Sequence, residues 1–227
     1  MNRLLVHVEG ETEESFVNEI LRPHLVGCGY HNVSARLLGN ARQRTNRGGI
    51  KSWESVRLEI ERHLKGDVGV MATTMVDYYA LPDSWPGRVK ARSAAVGDKP
   101  GIIEGALRDD LARRMGAGFD KNRFVPFVTM HEFESLLFSN CSAFARGIGR
   151  SKLEGAFQKI RDQFESPEEI DDSPQTAPSK RVEVLVPDYE KPLHGTLAAL
   201  EVGLESMREE CPHFDQWLTD LEGRHGA

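Results

Sequence analysis

Between Arg3 and Ser15 the chain runs from an apolar segment straight into four carboxylates, Glu9, Glu11, Glu13 and Glu14. Like charges held close repel, and each ionised carboxylate near an interior carries a desolvation cost. Two further groups repeat the theme. Asp77 closes the run VMATTMVD, and His131, Glu132 and Glu134 in HEFESLLF follow FVPFVTM. Some of these acids have structural work to do. If Gly10 caps a helix, Glu13 stands at its third position, where its carboxylate satisfies backbone N–H groups, and Glu11 and Glu14 gain from the helix dipole. Asp77 also suits the start of a turn, His131 a helix start, and Glu132 and Glu134 a first helical turn. Glu9 has no such role. A hard divalent cation would account for the whole set: Mg2+ or Mn2+ takes oxygen ligands, and such ions stabilise the charge of phosphoryl displacement.

The elements that must position these groups alternate strand and helix. RLLVHVEG reads as a buried parallel strand, and Phe16, Val17, Ile20 and Leu21 follow at helical spacing, with Pro23 and GCG as terminators. NVSARLL is a second strand. SWESVRLEIERHL places Trp53, Val56, Ile60 and Leu64 on one helical face, DVGVMATTMVDYY is a third strand, and NRFVPFVTM a fourth. A helix spanning GIIEGALRDDLARRM lies between the last two. This order implies an α/β fold with a central, mainly parallel four-stranded sheet flanked by helices, of Rossmann-like type, whose ligand site lies beyond the carboxyl ends of the strands. Glu9, Asp77 and the His131–Glu134 cluster are expected to meet on that edge. After Ser151 strand signals fade and helices follow, so residues 1–150 are expected to form the catalytic domain and 151–227 a C-terminal helical extension packed on it.

VEGETE after the first strand resembles the opening motif of Toprim domains, the metal-dependent fold shared by topoisomerases, bacterial primases and the overcoming-lysogeny-defect nucleases. In the nuclease branch the motif is Glu-Gly with a second acid four residues after the first, which matches Glu9 and Glu13. The second motif is Asp-x-Asp; here Asp77 is present but Tyr79 stands where the second Asp belongs, and Asp83, Glu132 and Glu134 are the candidates to fill that place. VEGETEESFV, TMVDYYALP, HEFESLLF, APSKR and CPHFDQWL, in this order, resemble an uncharacterised bacterial Toprim-like family found beside ATPases in loci associated with phage defence. The resemblance covers nearly the whole chain. It implies a metal-dependent nuclease cleaving DNA or RNA, with an ATPase partner. Glu9 would be a catalytic residue; Glu9, Glu13, Asp77, Glu132 and Glu134 would hold Mg2+ or Mn2+. The lysine used by the nuclease branch matches Lys180 in APSKR best, with Lys191 in YEKP second; His131 and Arg181 would contact substrate. The alternative is a non-catalytic Toprim-like adaptor or sensor for an ATPase, which the missing second Asp favours. A topoisomerase would need a nucleophilic tyrosine on a separate moving domain, and a primase template-binding modules; the chain has room for neither.

Bulk properties narrow the field further. A net charge of −6 argues against coating nucleic acid by charge alone, but Arg42, Arg44 and Arg47, in an acid-free loop with Lys51, and Arg88, Lys90 and Arg92 could form a local basic groove; taken singly, the first set equally suits a solvated loop and the second a solvated helix face. Cys28, Cys141 and Cys211 are widely spaced, with no CxxC pair, which gives neither a disulfide framework nor a zinc knuckle; Cys-x-His at Cys211 and His213 reads as a buried thiol. No apolar run is long enough for a membrane span and the start is too short for a signal peptide, so a cytoplasmic protein without membrane contact is expected.

Overall fold

The computed structural model describes residues 2–38, 51–170 and 176–224. Arg42, Arg44 and Arg47 lie outside the described residues. The chain forms two compact units, Met1–Val128 joined by the tail from Leu221, and Thr129–Asp220. The first boundary lies at Val128 where the sequence reading placed it at 150, and the segment from Leu221 groups with the first unit.

The first unit is built on strands β1 (Arg3–Val8), β2 (Asn32–Leu37), β3 (Val70–Asp77) and β4 (Phe124–Val125), in the order β2-β1-β3-β4. The three pairings are all parallel. Between β1 and β2 the chain is helical: α1 (Glu11–Phe16) passes through a π-helical turn, Val17–Leu21, into α2 (Arg22–Gly27). Pro23 was expected to end this helix. It is absorbed instead, because proline lacks an N–H and the widened turn, in which Arg22 N–H reaches back to Val17, accommodates the missing donor. Helix α3 (Trp53–Gly66) buries Trp53, Val56, Ile60 and Leu64, the face read from the sequence. Helices α4 (Arg88–Ala91) and α5 (Lys99–Met115) connect β3 to β4.

The expected fourth strand is divided. Phe124–Val125 is β4 and a two-residue β5 (Val128–Thr129) pairs with β3 off the main path. Pro126 interrupts the ladder, since it has no N–H to give. The Thr74 hydroxyl takes over there: it donates to Phe127 O at 2.9 Å and accepts from Phe127 N at 3.0 Å.

The second unit is helical: α6 (Glu134–Leu137), α7 (Cys141–Gly147), α8 (Glu154–Arg161), α9 (Pro178–Leu185), α10 (Lys191–Glu210) and α11 (Pro212–Glu222), whose last two residues belong to the first unit. Its core holds an aromatic cluster in which Phe144 stacks on Phe157 with centroids 4.4 Å apart and Phe138 meets both edge-on. Gly147 gives α7 close approach to α10: a Cβ there would lie 2.6 Å from Ala198 Cα. Among the described residues no helix is long and apolar enough to cross a membrane.

Candidate functional site

The strand order reverses direction at β1: β2 lies on one side and the chain then crosses to β3 on the other. In parallel sheets this switch opens a crevice beyond the carboxyl ends of the two strands. Val8 pairs with Met75, so Glu9 leaves β1 and Asp77 ends β3 at the same rim. Asp77 N–H donates to Glu9 Oε2 at 3.5 Å. Two acids nearly seventy positions apart in sequence are therefore neighbours, as their places at strand ends require. Glu13 sits on the first turn of α1, buried, and its Oε2 accepts the Gly10 N–H at 2.9 Å. The capping role expected of Glu13 is thus present. Glu11 is exposed.

The positions considered for the second Asp of the Asp-x-Asp motif are placed differently. Tyr79 is 39% exposed, and Asp83 is paired with Arg92 in an exposed ion pair. Among the described residues, the three donors gathered within 4.8 Å of one another are His24, Cys28 and Glu222. Glu9, Glu13 and Asp77 form no such tight trio, so a cation held by all three requires side-chain movement at this rim. The donor set itself, carboxylates without thiol or imidazole, suits a hard cation.

The second unit has a polar cluster of its own. Glu134 is 1% exposed, and Lys191 Nζ lies 3.0 Å from its Oε2 and 4.0 Å from Glu132 Oε1. Glu132 Oε2 accepts the Ser179 N–H at 2.8 Å, so it satisfies a donor in the first turn of α9. Tyr189 belongs to the same cluster: burial first, then the charges of Glu134, Glu132 and Glu183, push its phenol well up and keep it protonated. His131 is buried with φ of 65°, a left-handed conformation that costs a non-glycine residue energy. Lys180 is elsewhere. Half exposed, it bonds Glu183 at 2.6 Å on its own helix. Arg181 donates to Thr176 O at 2.7 Å and lies over the Phe164 ring. Of the two lysines, Lys191 pairs with Glu134 and Lys180 with Glu183.

Sequence reasoning passed over Tyr189, whose only signal is its place beside Lys191 in DYEKP. It also left Glu168 unmarked. That buried carboxylate accepts the His213 and Phe214 N–H groups, each at 3.0 Å, and so caps α11; this explains CPHF as a helix start and leaves Cys211 a buried thiol whose pKa burial raises.

The chain belongs to the family described as Domain of unknown function (DUF4276), whose model matches residues 8–222. No curated protein matches significantly. The chain is also similar to the C-terminal region of the OLD protein of Xanthomonas campestris pv. campestris, with 14% identity, 99% of this chain and 97% of that one covered, and a TM-score of 0.46.

Proposed function

We propose that the protein is a Toprim-type, metal-dependent nuclease that hydrolyses phosphodiester bonds in DNA or RNA, and that it works with a partner ATPase in phage defence. The observation that carries this reading is the meeting of Glu9 and Asp77 at the switch between β1 and β3, with the Glu9-Gly-x-x-Glu13 motif turning into α1 at the same place. Glu9, Glu13 and Asp77 would hold Mg2+ or Mn2+. Such an ion, when bound, lowers the pKa of coordinated water and neutralises charge on a phosphate. Glu9 would accept a proton there. A carboxylate at this rim has a helix N-terminus next to it, and the α1 backbone dipole favours a phosphate approaching the same edge. Glu132 and Glu134 are assigned a smaller part than their sequence suggested, since one caps α9 and the other is balanced by Lys191.

The test is hydrolysis of plasmid DNA and of RNA by the purified chain with Mn2+ or Mg2+, alone and with the cognate ATPase. Glu9→Gln is expected to lower the rate by about 10²-fold or more, the usual scale for a general acid–base group. Equal inertness of wild type and Glu9→Gln with the ATPase present would end the reading. The second reading, a non-catalytic adaptor or sensor for an ATPase, is favoured by Tyr79 at the second Asp position and by the engagement of Asp83 with Arg92. It predicts ATPase binding that Glu9→Gln leaves intact, without hydrolysis.

A further inference from the structure

His24 and Cys28 are four residues apart at the end of α2, and Glu222 is the last residue of α11, on the tail that belongs to the first unit. Four-residue spacing puts two helical side chains on one face. Cys28 Sγ lies 3.8 Å from His24 Nε2, and that nitrogen lies 2.5 Å from Glu222 Oε1. All three side chains are partly exposed, so an ion can reach them. We propose that His24, Cys28 and Glu222 form a zinc site that fastens the C-terminal tail to α2.

The donor chemistry selects the metal. One thiolate, one imidazole and one carboxylate match the ligands of tetrahedral Zn2+, whereas Mg2+ discriminates against sulfur. On binding, the Cys28 thiol gives its proton to solvent as the zinc–sulfur bond forms, and the proton shared by His24 Nε2 and Glu222 passes to His24 Nδ1 or to solvent as the zinc–nitrogen bond forms. Thiolate and carboxylate then balance the two charges of the ion, and water completes the fourth position. With bonds of about 2.0 Å to nitrogen or oxygen and about 2.3 Å to sulfur, tetrahedral edges are roughly 3.3–3.6 Å. The sulfur–nitrogen separation is already close to this. The nitrogen–oxygen separation is that of a hydrogen bond and must open by under about 1 Å, a side-chain adjustment for a glutamate at a helix end. The tail is already held nearby, since Tyr30 Oη donates to Leu221 O at 2.9 Å and Asn2 to Arg224 O at 3.4 Å. Zinc would add a cross-link between segments almost two hundred residues apart in sequence.

The test uses the full-length chain, stripped of metal and titrated with Co2+ and then Zn2+. Expected is one equivalent of cobalt with a thiolate charge-transfer band, displaced by zinc and lost in Cys28→Ser. His24→Ala and Glu222→Gln are expected to weaken zinc by about tenfold or more. Cys141 and Cys211 are buried, and burial pushes the Cys141 thiol up to about 12, so neither competes for the ion. Should Cys28→Ser fail to fold, the wild-type protein still decides: zinc is expected to slow alkylation of Cys28, read by mass spectrometry, by about tenfold or more. Absence of the band, its persistence in Cys28→Ser, or alkylation indifferent to zinc would overturn the site and leave His24 and Glu222 as a plain hydrogen-bonded clasp.

Discussion

The Lys191 ammonium and the Glu134 carboxylate face each other at 3.0 Å, and the carboxylate is almost wholly buried while the lysine is 42% exposed. Removing the cation leaves a buried negative charge without its counter-charge, which is costly, whereas an exposed pair contributes little. Lys191→Met is therefore expected to destabilise the protein by about 1–3 kcal/mol, and Lys180→Ala by less than about 0.5 kcal/mol, both read from urea unfolding midpoints. Equal losses would contradict these assignments. The distinction was not legible in the sequence. APSKR offers a lysine beside a serine and an arginine, but which side of α9 it occupies depends on the helix starting at Pro178, and that start is set partly by Glu132 accepting the Ser179 N–H. Glu9 and Asp77 were legible, because an acid placed just after an apolar strand must come out at the strand's end.

Among the elements, the contact of α7 with α10 depends on a missing side chain. Gly147 faces Ala198 Cα and Leu197 O, and a methyl group would stand 2.6 Å and 2.9 Å from them. Backbone cannot yield as a flexible side chain can, so Gly147→Ala should force the helices apart at a cost of about 1–3 kcal/mol or more. A drop in thermal midpoint, with near-native helicity by circular dichroism below the transition, is the expected result; an unchanged midpoint would refute the packing. Strand β3 behaves differently. Its run of Val, Met, Ala and Thr is buried along nearly its whole length, and the sequence shows this as a mostly apolar segment with β-branched residues and no charge before Asp77. Its neighbour was less legible: Pro126 splits the expected strand, and the repair comes from the Thr74 hydroxyl, a side chain more than fifty positions away. The π-helical turn before Pro23 is hidden for a similar reason, since periodicity cannot tell a widened turn from an ended helix.

For the whole molecule, one part of the response to acid comes from a buried imidazole. His7 lies in β1, an inner strand of the sheet, fully buried, with Nδ1 3.2 Å from Thr73 O and Nε2 3.2 Å from His63 Nδ1. Burial drives its pKa down to about 3; the Thr73 carbonyl opposes this, and His63 and Arg36 add to it. The unfolded chain takes a proton at this residue below about 6.5, while the folded chain does not until about 3, so stability falls as pH drops through that window. The slope from this group approaches about 1.4 kcal/mol per pH unit. Urea midpoints measured from pH 7 to pH 4 should fall more steeply for wild type than for His7→Gln, and parallel slopes would contradict the burial of a neutral imidazole. By itself the sequence determined the alternation of strands and helices, the parallel sheet and the acids at its rim, because periodicity and strand termini are local properties of the chain. Tertiary structure alone decided that Lys191 pairs with Glu134, that Thr74 closes the gap at Pro126, and that Glu222 reaches His24 and Cys28. Each of these depends on the rotation and offset of elements distant along the chain, which packing fixes and local patterning does not encode.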